Sequence, residues 1–183
     1  MTTATNAPNP ASIPDVGKVE IQGEHASLIF QRRLKHPPEA VWAALTEAAQ
    51  LEAWYAHSAK LDGRAGGAVE LVVGPPKMRW TGRILTWDPP RVLEYEFRTE
   101  PREEIPQGEK ESVVRYELAR SGEGTVLTLT HRKLSKGTAL GFAPGTHAFL
   151  DRLAAHLDGA ALPNWMQRYG EVQAAYPSWS RRS

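Results

Sequence analysis

Two histidines stand out among the side chains of this 183-residue sequence that can do chemistry. His131 falls on the apolar face of a strand pattern, and His147 begins the apolar stripe of a helix pattern. Imidazole titrates near neutral pH, so a facing pair can pass protons. No GxSxG nucleophile motif and no metal-spaced HExxH accompanies them. Hydrogen bonding to a ligand is therefore expected of them ahead of catalysis, and His147 could equally be a surface residue at a helix start.

The sequence has no cysteine, which leaves only His, Asp and Glu as metal ligands. His147 and Asp151 are one helical turn apart, but His156 follows at the wrong angle for the same face. Asp151 is expected to pair with an arginine or stay in water, and neither a metal nor a cofactor is expected. Arg32 alternates with Phe30 and Leu34 and so can point inward, where an arginine needs an anion. A protein carboxylate or an acidic ligand head group can supply it. The other reading is a strand edge where the charge reaches water.

Aromatic residues supply the remaining signal. Trp80, Tyr95, Phe97 and Tyr116 fall on strand faces that read as inward. Trp42, Trp54 and Tyr55 belong to a pair of short helices. Stripes of this kind are usually plain core. They can also line a pocket, which needs apolar walls and a few placed polar groups. Both readings stay open. Leu150, on the helix stripe that His147 begins, joins the candidate lining.

The composition removes several classes. A net charge of +1 from 22 basic and 21 acidic residues lacks the basic excess of a nucleic-acid binder. No run approaches the roughly 20 apolar residues of a membrane span. MTTATNAPNPASIPDVG has no basic region followed by an apolar one, so it does not read as a secretory signal. A cytoplasmic location is the expectation, and the absence of cysteine fits it.

The elements that position these residues follow from periodicity. Residues 1–23 read as a disordered N-terminal tail. ASLIFQRRL reads as a strand, stopped at His36-Pro37-Pro38. Residues 38–46 and then AAQLEAWYA read as two short helices. Strands are expected over 68–73, 78–87, 91–98, 112–120 and 124–134, with turns at Gly74-Pro75-Pro76, Asp88-Pro89-Pro90 and Gly122-Glu123-Gly124. Residues 100–111 read as a charged solvated loop. GTHAFLDRLAAHLDG is a long amphipathic helix, with Leu150, Leu153, Ala154 and Leu157 at helical spacing. A further helical pattern opens at Pro163, with Trp165, Tyr169, Val172 and Tyr176 on one stripe. LDGRAGG is no phosphate loop, because it lacks the GxxxxGK[ST] order.

Four segments in this order, FQRRLKHPPEAVWAALTEAAQLEAWY, TGRILTWDPPRVLEYEF, GTVLTLTH and THAFLDRLAAHLDG, resemble the SRPBCC or START-like superfamily. Within it they resemble the branch of the activator of heat-shock protein 90 ATPase C-terminal domain. The resemblance covers residues 24–160 and leaves 161–183 as a C-terminal helical extension and tail. It implies an α+β helix-grip fold: a curved antiparallel β-sheet wrapped around a long C-terminal helix, with two short helices after the first strand. It also implies a cavity between sheet and helix. The expected function is to hold a small hydrophobic or amphipathic ligand there. A co-chaperone-like interaction with a protein partner, a homodimer, and a cyclase or hydrolase activity in the same cavity are the alternatives.

Overall fold

Alternating Ala26, Leu28, Phe30, Arg32 and Leu34 turn inward from one strand, and the chain then builds a sheet around them. The computed structural model describes residues 13–178. Its strands are β1 (Lys18–Gln22), β2 (His25–Leu34), β3 (Ala56–Leu61), β4 (Ala68–Val73), β5 (Met78–Asp88), β6 (Val92–Glu96), β7 (Val113–Ser121) and β8 (Gly124–Ser135). The helices are α1 (Pro38–Thr46), α2 (Ala48–Trp54), α3 (Lys136–Leu157) and α4 (Trp165–Val172). All neighbouring strands pair antiparallel, in the order β1-β2-β8-β7-β6-β5-β4-β3. The fold is the α+β helix grip, with α1 and α2 following the first long strand and α3 lying across the sheet.

Strand β5 changes partners along its length. Residues up to Arg83 pair with β4, and residues from Ile84 onward pair with β6, with a bulge after Ile84. A Cβ at Gly82 would lie 1.9 Å from the Glu96 carbonyl oxygen, so only glycine fits this close approach. Trp80 packs on Phe97, which lies just beyond β6.

Helix α3 buries Ala139, Leu140, Ala143, Ala148, Leu150 and Leu153. Each fully buried leucine of this kind contributes about 1.5–3 kcal/mol. The helix begins at Lys136, earlier than the Gly145 start read from the sequence, and it carries Pro144 in its interior. Proline, with Gly141 and Gly145 around it, mimics a helix boundary in a sequence. Packing against β2 and β8 overrides that local preference.

Two further differences from the sequence reading concern edge strands. Residues 18–22 fall within the expected disordered tail, yet they pair with β2 from Lys18 opposite Ile29 to Gln22 opposite His25. The expectation for residues 1–12 lies outside the described residues. Strand β3 pairs with β4, but AHSAKL has too little apolar alternation to reveal it. Beyond α3, the extension folds as α4 and a 3-10 turn at Gln173–Ala175. Among the described residues, no helix is long and apolar enough to cross a membrane.

Candidate functional site

The concave side of the sheet and α3 do not meet everywhere. Between them lies a cavity of about 430 Å³, within the usual range for ligand pockets. Its floor is the sheet: Trp80 from β5, Phe97, Val114 and Tyr116 from β7, and Leu129 and His131 from β8. Its roof is the middle of α3, through Phe142, Thr146, Phe149 and Leu150. The side walls are Trp54-Tyr55 at the end of α2, the turn from Val73 to Met78, and Trp165, Met166 and Tyr169 of α4. No Lys, Arg, Asp or Glu is among the described residues that line it.

The rings interlock. Trp80 stacks on Phe97 with centroids 4.1 Å apart and planes 3° apart. Phe142 meets the Trp80 ring edge-on at 5.5 Å. Tyr55 stacks on Trp54 at 5.1 Å and meets Phe149 edge-on at 4.7 Å. Phe149 in turn lies 5.3 Å from Trp165. These contacts carry the wall from α2 across α3 to α4.

Hydrogen bonds fix the same elements. Trp54 Nε1 donates to the Ala44 carbonyl at 2.9 Å. Arg152 donates through Nε to the Trp54 carbonyl and through Nη1 to the Pro163 carbonyl. One guanidinium therefore holds both the end of α2 and the approach to α4. Helix α4 lies directly on α3: Trp165 Nε1 donates to the Gly145 carbonyl at 3.1 Å, and the Tyr169 hydroxyl donates to the Gly141 carbonyl at 2.9 Å. A Cβ at Gly145 would lie only 3.0 Å from the Trp165 ring.

Few polar atoms reach the cavity. Burial raises the Tyr55 pKa well above the usual phenol value and that of Tyr116 to about 12, so both hydroxyls stay protonated. Burial also lowers the His131 pKa to about 3, so the ring is neutral at physiological pH. His131 Nε2 lies 3.0 Å from Ser112 Oγ, and that oxygen lies 2.5 Å from the Phe97 carbonyl oxygen. Two oxygens this close need a proton between them, and only the serine has one. Ser112 therefore donates to Phe97 and accepts from His131 Nε2–H.

Seven of the ten residues singled out from the sequence line the cavity: Trp54, Tyr55, Trp80, Phe97, Tyr116, His131 and Leu150. The other three do not. Trp42 turns to the end of β5, where it meets Trp87 edge-on at 5.0 Å. Tyr95 is buried in the wall against Phe97 and Tyr116, with ring centroids 6.3 and 6.5 Å away. His147 faces Phe30 and Tyr176 on the flank of α3 toward β1 and β2, and its Nδ1 lies 2.7 Å from the Tyr176 hydroxyl. The two histidines thus serve different places, and the facing pair that proton transfer would need is not formed. Arg32 is only 5% exposed and lies 3.8 Å from Asp151, so the anion beside it is a protein carboxylate.

Several lining residues escaped the sequence reading. Phe142 lies in the part of α3 hidden by the apparent break at Pro144. Trp165 and Tyr169 were on a recognised stripe, but no sequence signal joins that stripe to the cavity. Ser112, which bonds His131 without lining the cavity, was not singled out either, although it alternates with Val114 and Tyr116 in the expected strand.

Comparison with known proteins adds the relatives. A family model described as Activator of Hsp90 ATPase homolog 1-like protein matches residues 35–158. The crystal structure of CalU16 from Micromonospora echinospora is similar at 27% identity and a TM-score of 0.68, covering 87% of this chain and 94% of that one. The solution structure of the BPP1335 protein from Bordetella parapertussis is also 27% identical, with a TM-score of 0.66 over 96% of this chain and 94% of that one. The crystal structure of MLL2253 from Mesorhizobium loti has a TM-score of 0.65 at 22% identity, covers 74% of this chain and 99% of that one, and speaks for the fold alone. No curated protein matches the sequence.

Proposed function

The chain belongs to the Activator of Hsp90 ATPase homolog 1-like family, and from that premise we propose that it binds a small hydrophobic or amphipathic ligand between its sheet and α3 without transforming it. One observation carries this reading: the space between sheet and helix is a cavity of about 430 Å³ walled almost wholly by aromatic and aliphatic side chains. A packed core interdigitates to leave few voids larger than a water molecule. An aromatic-walled space of this size stabilises the protein less than a filled one, and a ligand would offset that deficit.

Catalysis has less support. His131 is a weak base when its pKa is pushed down to about 3. The Ser112 hydroxyl proton is committed to the Phe97 carbonyl, so no nucleophile is poised beside it. A co-chaperone-like contact with a protein partner is the second reading. It rests on the family description and on Met166, which is 66% exposed beside the cavity. A cytoplasmic placement remains part of this reading, and the absence of cysteine is compatible with it.

The test is native mass spectrometry of the freshly purified protein, followed by denaturing extraction. A co-purified small molecule of low polarity is the expected result. A bare protein mass, combined with no response to added apolar probes, would overturn the ligand reading and favour the protein-partner one.

A further inference from the structure

The cavity is not uniformly apolar, and its polarity has a direction. Hydroxyl groups such as those of Tyr55 and Tyr116 can donate or accept, so they do not select a ligand's sense. His131 differs. Its Nε2 carries the ring proton, because the Ser112 oxygen it meets has given its own proton to the Phe97 carbonyl. The ring is neutral. Nδ1 is then an unprotonated acceptor, and no protein donor is bonded to it among the described residues. The ring itself lines the cavity.

The surroundings of this acceptor are flat and uncharged. Phe97 meets the His131 ring edge-on at 5.4 Å, and Phe142 lies 6.2 Å away from it on the α3 side. Phe97 continues into the stack with Trp80. No cationic side chain lines the cavity among the described residues. A carboxylate drawn into it would lose its hydration without gaining a counter-ion, which costs several kcal/mol. A bare hydrocarbon would leave Nδ1 unpaired in an apolar site.

We propose that the cavity selects uncharged, flat, largely apolar molecules bearing one hydroxyl, whose O–H donates to His131 Nδ1. This rests on the ligand-binding reading above and names the ligand class it would take. Ser112 is then a positioning residue: it fixes the tautomer that makes Nδ1 the acceptor, much as an outer partner orients a ligating histidine.

Three probes with one carbon framework test it: 2-naphthol, naphthalene and 2-naphthoate, titrated against the full chain with tryptophan fluorescence as the readout. Trp54, Trp80 and Trp165 all line the cavity, so occupancy reports directly. 2-Naphthol is expected to bind about fivefold or more tightly than naphthalene, and 2-naphthoate more weakly than either. In His131→Leu the preference for 2-naphthol over naphthalene disappears while naphthalene still binds, which also shows that the variant folds. Nitrogen NMR of the wild-type imidazole gives an independent reading, with Nδ1 unprotonated and shifted by 2-naphthol but not by naphthalene. Equal binding of the two neutral probes, a preference that survives in His131→Leu, or a protonated Nδ1 would overturn the selection while leaving the ligand cavity in place. Binding by none of the three would overturn the cavity reading itself.

Discussion

His147 Nδ1 lies 2.7 Å from the Tyr176 hydroxyl, and that hydroxyl lies 2.8 Å from the Gly17 backbone nitrogen. The backbone N–H can only donate, so Tyr176 accepts from Gly17, and the same hydroxyl shares a second hydrogen bond with His147 Nδ1. His147 Nε2 lies 3.5 Å from Asp151 Oδ2 but makes no hydrogen bond to it. One chain of polar contacts therefore ties the lead-in to β1, the end of the C-terminal extension and the middle of α3. His147 is fully buried at the centre of this tie, away from the cavity.

Tyr176→Phe tests the tie. It removes one hydroxyl but strands two polar groups, the Gly17 N–H and His147 Nδ1. A stranded buried group costs about 1–3 kcal/mol, so a loss of about 2 kcal/mol or more is expected in denaturant melts. Binding of cavity probes should not change. A variant as stable as the wild type would show that water serves both groups equally well.

Stability should fall early in acid. Burial lowers the His147 pKa to about 4 and that of His131 to about 3, against an ordinary value of about 6.5. Between these limits the unfolded chain binds protons that the folded chain refuses. The neutral-histidine contribution is thus fully present above pH ~6.5 and is lost as pH falls to about 4 for His147 and to about 3 for His131. Near pH 5 the unfolded state holds up to about two more protons from this pair, so stability falls by roughly 2–3 kcal/mol per pH unit there. Denaturation at several pH values measures the slope, and NMR titration of the two rings assigns it. Midpoints near 6.5 for either ring would refute its burial as a neutral group.

How much of this was written in the sequence depends on the range of the interactions. Alternation placed Trp80, Phe97, Tyr116 and His131 on one wall because a pleated strand translates sequence parity into face. Helix spacing put His147 on a buried face but could not say which buried face, since α3 touches the sheet on one flank and α4 on another. The choice between them depends on the roll of the helix, which is set by residues far along the chain such as Tyr176. Pro144 hid the first half of α3 for a similar reason: local propensity says stop, and only packing against α4, β2 and β8 says continue.

Asp151→Asn should be among the most damaging surface-proximal changes. Asp151 accepts from Arg168 Nε at 2.7 Å and lies 3.8 Å from Arg32. Burial already lowers the Arg32 pKa. Removing the carboxylate leaves a buried guanidinium without its nearest anion, at a cost of about 3–5 kcal/mol. The double variant Arg32→Met/Asp151→Asn should recover a large part of that loss, because an apolar side chain no longer needs an anion. Strictly additive losses in the four-protein cycle would mean that the two residues do not interact.

Gly145→Val should loosen the wall contributed by α4. The added Cβ would meet the Trp165 ring at 3.0 Å, and the ring is already hydrogen-bonded to the Gly145 carbonyl. Trp165 must move outward, taking Met166 and Tyr169 with it. Expected results are a red-shifted tryptophan emission and faster dissociation of a bound probe in stopped flow. Unchanged dissociation would show that the entry route lies elsewhere, past Tyr55 or the Gly74-Pro75-Pro76 turn.

Val114→Phe separates a cavity from a merely loose core. Val114 is buried and lines the space from β7. In a packed core, the larger ring would force its neighbours off their rotamers and cost about 1–3 kcal/mol. In a cavity of about 430 Å³ the ring has somewhere to go, and filling such space commonly adds about 0.5–2 kcal/mol. The expected outcome is a Tm equal to or above the wild type, together with probe binding weakened at least tenfold. A lowered Tm with binding intact would mean that the side chain cannot enter the space the ligand would use. A lowered Tm with binding lost would instead point to disrupted packing of the sheet beneath Tyr116.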